Sequence, residues 1–222
     1  MYLVIFIAAG FAELFVRGRL VVHGDAAMTA ANILAHESLY RLGGVVQLIV
    51  VLACDTGVAL LLYGLLKPVG RTLSLFAASF RLIFVAVMAA NSMNYFAPLV
   101  LLRGAHLPGP FTTDQLQAMV LESHRLYDTG FAIALVFFGI HLLFLGWLVF
   151  KSGFLPRVLG ALLAIAGFCY LTNSAALFLS PPVASRLLPY ILLPGVVGEG
   201  SLTLWLLVVG LNVGRWEVQA RA

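Results

Sequence analysis

Glu13, Asp55, Arg81, Asp128, His141 and Glu199 each stand inside a long run of apolar residues. On insertion scales an ionisable side chain at the centre of a bilayer costs roughly 2.5–3.5 kcal/mol. Such residues normally face the interior of a helix bundle, where they pair with one another or line a cavity. Arg17 and His124 stand nearer the ends of their runs, and Asn91, Asn94, Asn173 and Ser174 add neutral polar groups.

Depth along the runs sorts these residues into two sets. At about 1.5 Å of rise per residue, Asp55, Arg81 and His141 lie roughly 16, 15 and 13 Å from one end of their helices, and so share a level. A very short turn joins the runs that carry Asp55 and Arg81. These two are expected to meet as a buried ion pair or a relay, with the planar guanidinium gripping the carboxylate. His141 reads most simply as a core histidine that donates to a backbone carbonyl.

The second set lies toward the opposite end. Glu13 and Glu199 are each about 13 Å in from that end. Asn91, Asn94 and Asn173 reach the same layer, and His124 and Asp128, four residues apart, share a helix face. If these faces converge, Glu13, Arg17, Asn91, Asn94, His124, Asp128, Asn173 and Glu199 form a group that binds a small molecule or a cation. Its three acids repel one another unless a cation, a proton or water intervenes. His124-x-x-x-Asp128 offers two metal ligands on one face, but no HExxH and no Ser-His-Asp pattern accompanies it. The residues name no metal, cofactor or catalytic set. Gly195-x-x-Gly198-x-Gly200 has no strand before it and reads as close helix packing rather than a nucleotide loop, as do Gly210 and Gly214. Cys54 and Cys169 sit in apolar runs as small hydrophobes. Nothing suggests a nucleic-acid surface.

Only a membrane can accommodate the elements that hold these residues. Of the 222 residues 62% are hydrophobic and 10% are charged, against about 25% charged in a soluble domain. A spanning helix needs about 20 mostly apolar residues. Residues 2–20, 41–66, 72–102, 116–150, 156–179 and 188–213 are predicted as six spans. Residues 1–222 are thus expected to form a single all-α transmembrane domain, a six-helix bundle. The start, MYLVIFIAAGFAELFVRGRL, has no basic leader and no small-residue cleavage site, and reads as a retained helix. In GDAAMTAANILAHE (24–37), Asp25 is suited to cap a short amphipathic helix lying on the outer surface. Pro68 to Gly70 and Gly153 to Pro156 mark tight turns, and Ser180-Pro181-Pro182 reads as a helix stop.

Lys67 and Arg71, Lys151 and Arg157, and Arg215 and Arg221 all fall on one side under this count. Asp25, Glu37 and Asp114 dilute Arg19, Arg103 and Arg186 on the other. The Lys/Arg bias therefore predicts both termini in the cytoplasm.

LLYGLLKPVGRTLSLFAASFRLI (61–83), LVFFGIHLLFLGWLVFKSGFLPRVLGALLAIAGFCYL (135–171) and FAELFVRGRLVVHGDAAMTAANI (11–33) resemble the bacterial membrane family catalogued as domain of unknown function 4386. The FKSGFLPRVLG turn is the most specific part. The resemblance implies a multi-pass protein of the bacterial cytoplasmic membrane and transfers no catalytic residue. Three functional readings follow from the residues. The leading one is a carrier or sensor whose polar intramembrane cavity opens outward to a small molecule or ion. The second is an intramembrane enzyme that uses the outer acids and His124, with or without a metal. The third is a structural subunit, either a homo-oligomer or part of a larger membrane complex.

Overall fold

A computed structural model describes residues 1–104, 111–188 and 190–221. All regular structure among them is helical. The chain opens with α1 (Tyr2–Ala9), which continues through a π-helical stretch, Gly10–Arg17, and a last turn, Gly18–Leu20. Next come α2 (Ala26–Ala35), α3 (Glu37–Leu66), α4 (Arg71–Gly104), α5 (Thr113–Ser152), α6 (Arg157–Leu179), α7 (Pro181–Leu187), α8 (Leu193–Val208) and α9 (Val213–Arg221). A second π-helical stretch, Val46–Val51, lies within α3.

Among the described residues, five helices are long and apolar enough to cross a membrane: α3 to α6 and the segment Tyr190–Val208, in which a short 3-10 turn leads into α8. The chain is therefore a multi-pass helical membrane protein. The helix from Tyr2 to Leu20, expected as a further span, is not one of the five. It carries Glu13, Arg17 and Arg19, and its middle is π-helical. α5 has 40 residues; at about 1.5 Å per residue it is roughly 60 Å long, twice the hydrocarbon thickness, so it extends beyond the bilayer.

The local signals explain most of the helix ends. The Asp25 side chain caps α2 by accepting from the Met28 N–H at 2.8 Å. Gly153, at φ +69°, takes a left-handed conformation in the turn before α6. Ser180-Pro181-Pro182 ends α6 but also starts α7, with proline in its first turn. The run 188–213 is not one helix. α8 stops at Val208, Gly210 turns at φ +77°, and its N–H bonds the Trp205 carbonyl at 2.9 Å. Gly210 is thus a helix terminator rather than a packing site.

The described residues form two compact units, Met1–Asp55 with Ala86–Phe131 and Thr56–Val85 with Ala132–Ala222. Unit one is built around Ala12, Val16, Ile33, Tyr40 and Val120, all fully buried. Unit two packs Leu142, Leu145, Leu163, Ala166 and Leu202 together. In unit two, α5 and α6 touch backbone to backbone. A Cβ on Gly146 would come 2.6 Å from the Gly160 carbonyl oxygen, and one on Gly167 would come 2.7 Å from the Gly139 carbonyl oxygen. Gly139 and Gly146 are one heptad apart on α5, as are Gly160 and Gly167 on α6, so the antiparallel helices meet through two glycine pairs. α9 is tied to turns of the same unit. The Trp216 Nε1–H donates to the Leu65 carbonyl at 2.9 Å, and Arg215 Nη1 donates to the Gly153 carbonyl at 3.0 Å.

Candidate functional site

The π-helical stretch of unit one carries Glu13 and Arg17. The Gly18 N–H reaches back five residues to the Glu13 carbonyl, the bond that defines a π turn. Such turns recur at functional sites because they displace side chains from the regular helical register. Here Glu13 and Arg17 remain partners, with Arg17 Nε 3.5 Å from Glu13 Oε2. The far end of the guanidinium donates to Asp128 Oδ1 at 2.5 Å. Its Cζ lies 4.6 Å from the centre of the Tyr127 ring, a cation–π contact. The Tyr127 hydroxyl closes the circuit by donating to Glu13 Oε1 at 2.6 Å. One cation is therefore shared by two carboxylates, and the group keeps a net negative charge. Side-chain exposure is 13% for Arg17, 35% for Glu13 and 53% for Asp128, so the acids keep accessible oxygens while the cation is enclosed.

Neutral groups hold this arrangement in place. Asn91 Nδ2 donates to the Tyr127 carbonyl at 2.9 Å, and Asn94 Nδ2 donates to Asn91 Oδ1 at 3.0 Å. Gly130 allows this, because a Cβ there would overlap the Asn91 amide. The Tyr40 hydroxyl donates to the Tyr95 carbonyl at 2.5 Å, the Tyr95 hydroxyl donates to the Tyr40 carbonyl at 3.2 Å, and the two rings stack 4.8 Å apart. Tyr95 also meets Tyr127 edge to face at 5.7 Å. His124 presents its ring edge to Tyr40 at 6.0 Å. It is only 2% exposed, yet neither ring nitrogen has a hydrogen-bond partner.

Unit one thus brings Glu13, Arg17, Asn91, Asn94, His124 and Asp128 into one neighbourhood. Tyr40, Tyr95 and Tyr127 belong to it too, although nothing in their residue type sets them apart from ordinary core aromatics. The available signal was position: Tyr127 adjoins Asp128 and follows His124 by three residues on the same helix. Asp55 is buried in unit one as well.

Unit two holds the remaining residues. Arg81 is 1% exposed, and its Nη1 is 3.2 Å from His141 Nε2, while His141 Nδ1 is 2.8 Å from the Ala77 carbonyl. One tautomer satisfies both contacts: Nδ1–H donates to the carbonyl, and the Nε2 lone pair accepts from the guanidinium. The guanidinium also lies 5.1 Å over the Phe138 ring. Glu199 belongs to unit two. Its Oε1 accepts from the Tyr170 hydroxyl at 3.4 Å, and Gly195 makes room for Tyr170, whose hydroxyl a Cβ would strike. Asn173 is buried with its Oδ1 unbonded, and Ser174 Oγ donates to the Ala132 carbonyl at 2.8 Å.

The chemistry open to these groups is polar recognition. Among the described residues no three His, Cys, Asp or Glu side chains come together so as to hold a metal ion. His124 and Asp128 share a helix, but Asp128 is committed to Arg17.

Comparison with known proteins places the chain without assigning it an activity. A protein of Archaeoglobus fulgidus, described as an uncharacterized protein, is 29% identical over 174 residues, or 78% of this chain and 85% of its own length. That relative is archaeal, so the bacterial setting implied by the resemblance does not extend to every similar protein. No solved structure matches the chain. Residues 1–210 match the family model described as Domain of unknown function (DUF4386), and with that span covered the chain belongs to this family of membrane proteins.

Proposed function

We propose that the protein binds a small cation or cationic polar molecule at the Glu13–Arg17–Asp128 group, acting as a carrier or sensor with a polar compartment open to the outer side of the membrane. The observation that carries this reading is charge. Arg17 is shared between the two carboxylates it touches, which leaves one carboxylate in excess on helices that are mostly apolar over the rest of their length. A charge in such a place is retained where it meets a ligand or a water-filled path. The partly exposed oxygens of Glu13 and Asp128 supply acceptors for a cation. His124 supplies a donor or an acceptor that no protein group uses. The Lys/Arg bias of the turns supports a topology with both termini in the cytoplasm and the Tyr2–Leu20 segment as a sixth span.

A thermal-shift series on the detergent-solubilised protein tests this, with sodium, potassium and ethylammonium chlorides against N-methylglucamine chloride. At least one of the three cations is expected to raise Tm, and Asp128→Asn is expected to abolish that rise. Equal Tm in all four salts, or an undiminished rise in Asp128→Asn, rejects the reading.

The runner-up is an intramembrane enzyme in which His124 moves a proton. It is favoured by the two ring nitrogens that no protein group uses, on the same helix as Tyr127, whose hydroxyl donates to Glu13.

A further inference from the structure

Away from the polar group, the paired glycines of unit two leave a groove on the membrane-facing side of α5 and α6. Gly146 and Gly160 are buried where the helices touch and raise no side chain over that contact, and Ala161 and Ala164 continue the small-residue lining. The rings of Trp147 and Phe150 flank a groove of about 410 Å³ whose lining is entirely apolar. Its lining on α6 runs from Gly160 to Phe168; at about 1.5 Å per residue that is roughly 12 Å, within the half of the ~30 Å hydrocarbon core that one leaflet supplies. The groove thus lies within the depth of one leaflet.

One end of it is positively charged. Lys151 Nζ sits 5.0 Å from the centre of the Trp147 ring, and Arg157 Cζ sits 5.7 Å from the centre of the Phe150 ring. The flanking rings therefore hold a cation each at the groove's mouth. Arg215, bonded to the Gly153 carbonyl, adds a third cation to the turn that joins Lys151 to Arg157. No acidic residue lies between positions 151 and 157, and Glu217 is paired with Arg221 at 3.8 Å.

We infer that this groove is a binding site for one anionic phospholipid of the cytoplasmic leaflet. An acyl chain lies against Gly146, Gly160, Ala161 and Ala164, and the phosphate sits between Lys151 and Arg157. An apolar channel within the depth of one leaflet, with cations beyond its boundary end, complements a single lipid in both shape and charge. A second copy of the chain fits less well. A twofold axis along the membrane normal would bring the Lys151–Arg157 ends of two copies to the same level, where like charges repel.

Native mass spectrometry of the purified full-length chain tests the assignment, with phosphatidylglycerol and phosphatidylcholine of identical acyl chains. Phosphatidylglycerol adducts are expected to survive at activation energies that strip phosphatidylcholine. Lys151 and Arg157 are exposed, so Lys151→Gln with Arg157→Gln leaves the fold intact and should weaken phosphatidylglycerol retention roughly fivefold per charge removed. Ala161→Leu, at an exposed position within the groove, should displace the lipid with Tm unchanged. Water-soluble glycerophosphate should not compete. The inference is overturned by equal retention of the two lipids, by competition from glycerophosphate, by an Ala161→Leu variant that keeps the adduct, or by a dimer that Ala161→Leu dissociates.

Discussion

Unit one and unit two each bury an arginine and a histidine in apolar helices, and they treat them in opposite ways. In unit two, His141 uses both ring nitrogens, one on the Ala77 carbonyl and one on Arg81. Gly139, Gly146, Gly160 and Gly167 hold the helices of that unit in backbone contact. In unit one, Arg17 is divided between two acids that keep accessible oxygens, and His124 has neither nitrogen bonded. Burial alone does not separate the two histidines, since both are 2% exposed or less. Satisfaction does. A buried polar group that finds its partners rigidifies the fold, whereas one left without them costs stability and persists where something other than the fold requires it.

The largest expected effect falls on the satisfied histidine. His141→Leu keeps the volume but removes the acceptor facing Arg81 Nη1 and the side-chain donor to the Ala77 carbonyl. A loss of about 3 kcal/mol is expected, the upper end for a buried hydrogen bond to a charged group, because the bond to the Ala77 carbonyl is lost with it. Reversible unfolding in mixed micelles measures it, and a loss below about 1 kcal/mol would place Arg81's main support elsewhere. Gly160→Val ranks next. Its Cβ would lie 2.5 Å from the Gly146 carbonyl oxygen, against backbone that cannot swing aside. Overpacking of this kind typically costs about 1–3 kcal/mol. Ala164→Gly, which adds no atoms to the same helix pair, should show no such clash in the same assay.

Tyr127→Phe tests unit one at smaller scale. It removes the hydroxyl that donates to Glu13 Oε1 and retains the ring beneath Arg17. A loss of about 1.5 kcal/mol is expected for a hydrogen bond to a charged acceptor. Because Glu13 is about one-third exposed, water can replace part of that bond and hold the cost at the low end. The response of Tm to a bound cation should change in the same variant, since Glu13 is then anchored by Arg17 alone.

The sequence made the scaffold more legible than the site. The runs 41–66, 72–102, 116–150 and 156–179 correspond closely to α3, α4, α5 and α6, because apolar length and Gly/Pro turns encode spans directly. The helix from Tyr2 to Leu20 was legible as a helix but not as π-helical, since hydropathy carries no record of whether an N–H reaches back four residues or five. The break at Gly210 was masked by apolar residues on both sides of it. The heptad spacing of Gly139 with Gly146 and of Gly160 with Gly167 stands in the sequence, but only the antiparallel pairing of the helices shows that the two spacings match. In the site, Glu13, Arg17, His124 and Asp128 announce themselves as costly residues in apolar surroundings. The tyrosines do not, because a tyrosine is ordinary in a helix core until its hydroxyl is seen to have an ionised partner.

The smallest expected change in stability belongs to His124→Leu, and it decides how the two units compare. Leucine approximates the imidazole's bulk and removes two nitrogens that bond to no protein group. A buried polar atom that no protein group bonds costs its desolvation without that return, so the variant should be as stable as the parent or slightly more so. His141→Leu, the same substitution at a similarly buried site, should lose about 3 kcal/mol, so the contrast does not depend on how leucine is tolerated in these helices in general. If His124 serves a bound molecule, the variant should at the same time lose much of the Tm rise that a binding cation produces in the parent. Stability retained with response lost marks a residue kept for binding. A loss above about 1 kcal/mol would mean that His124 is bonded as His141 is, and the contrast between the units would then disappear.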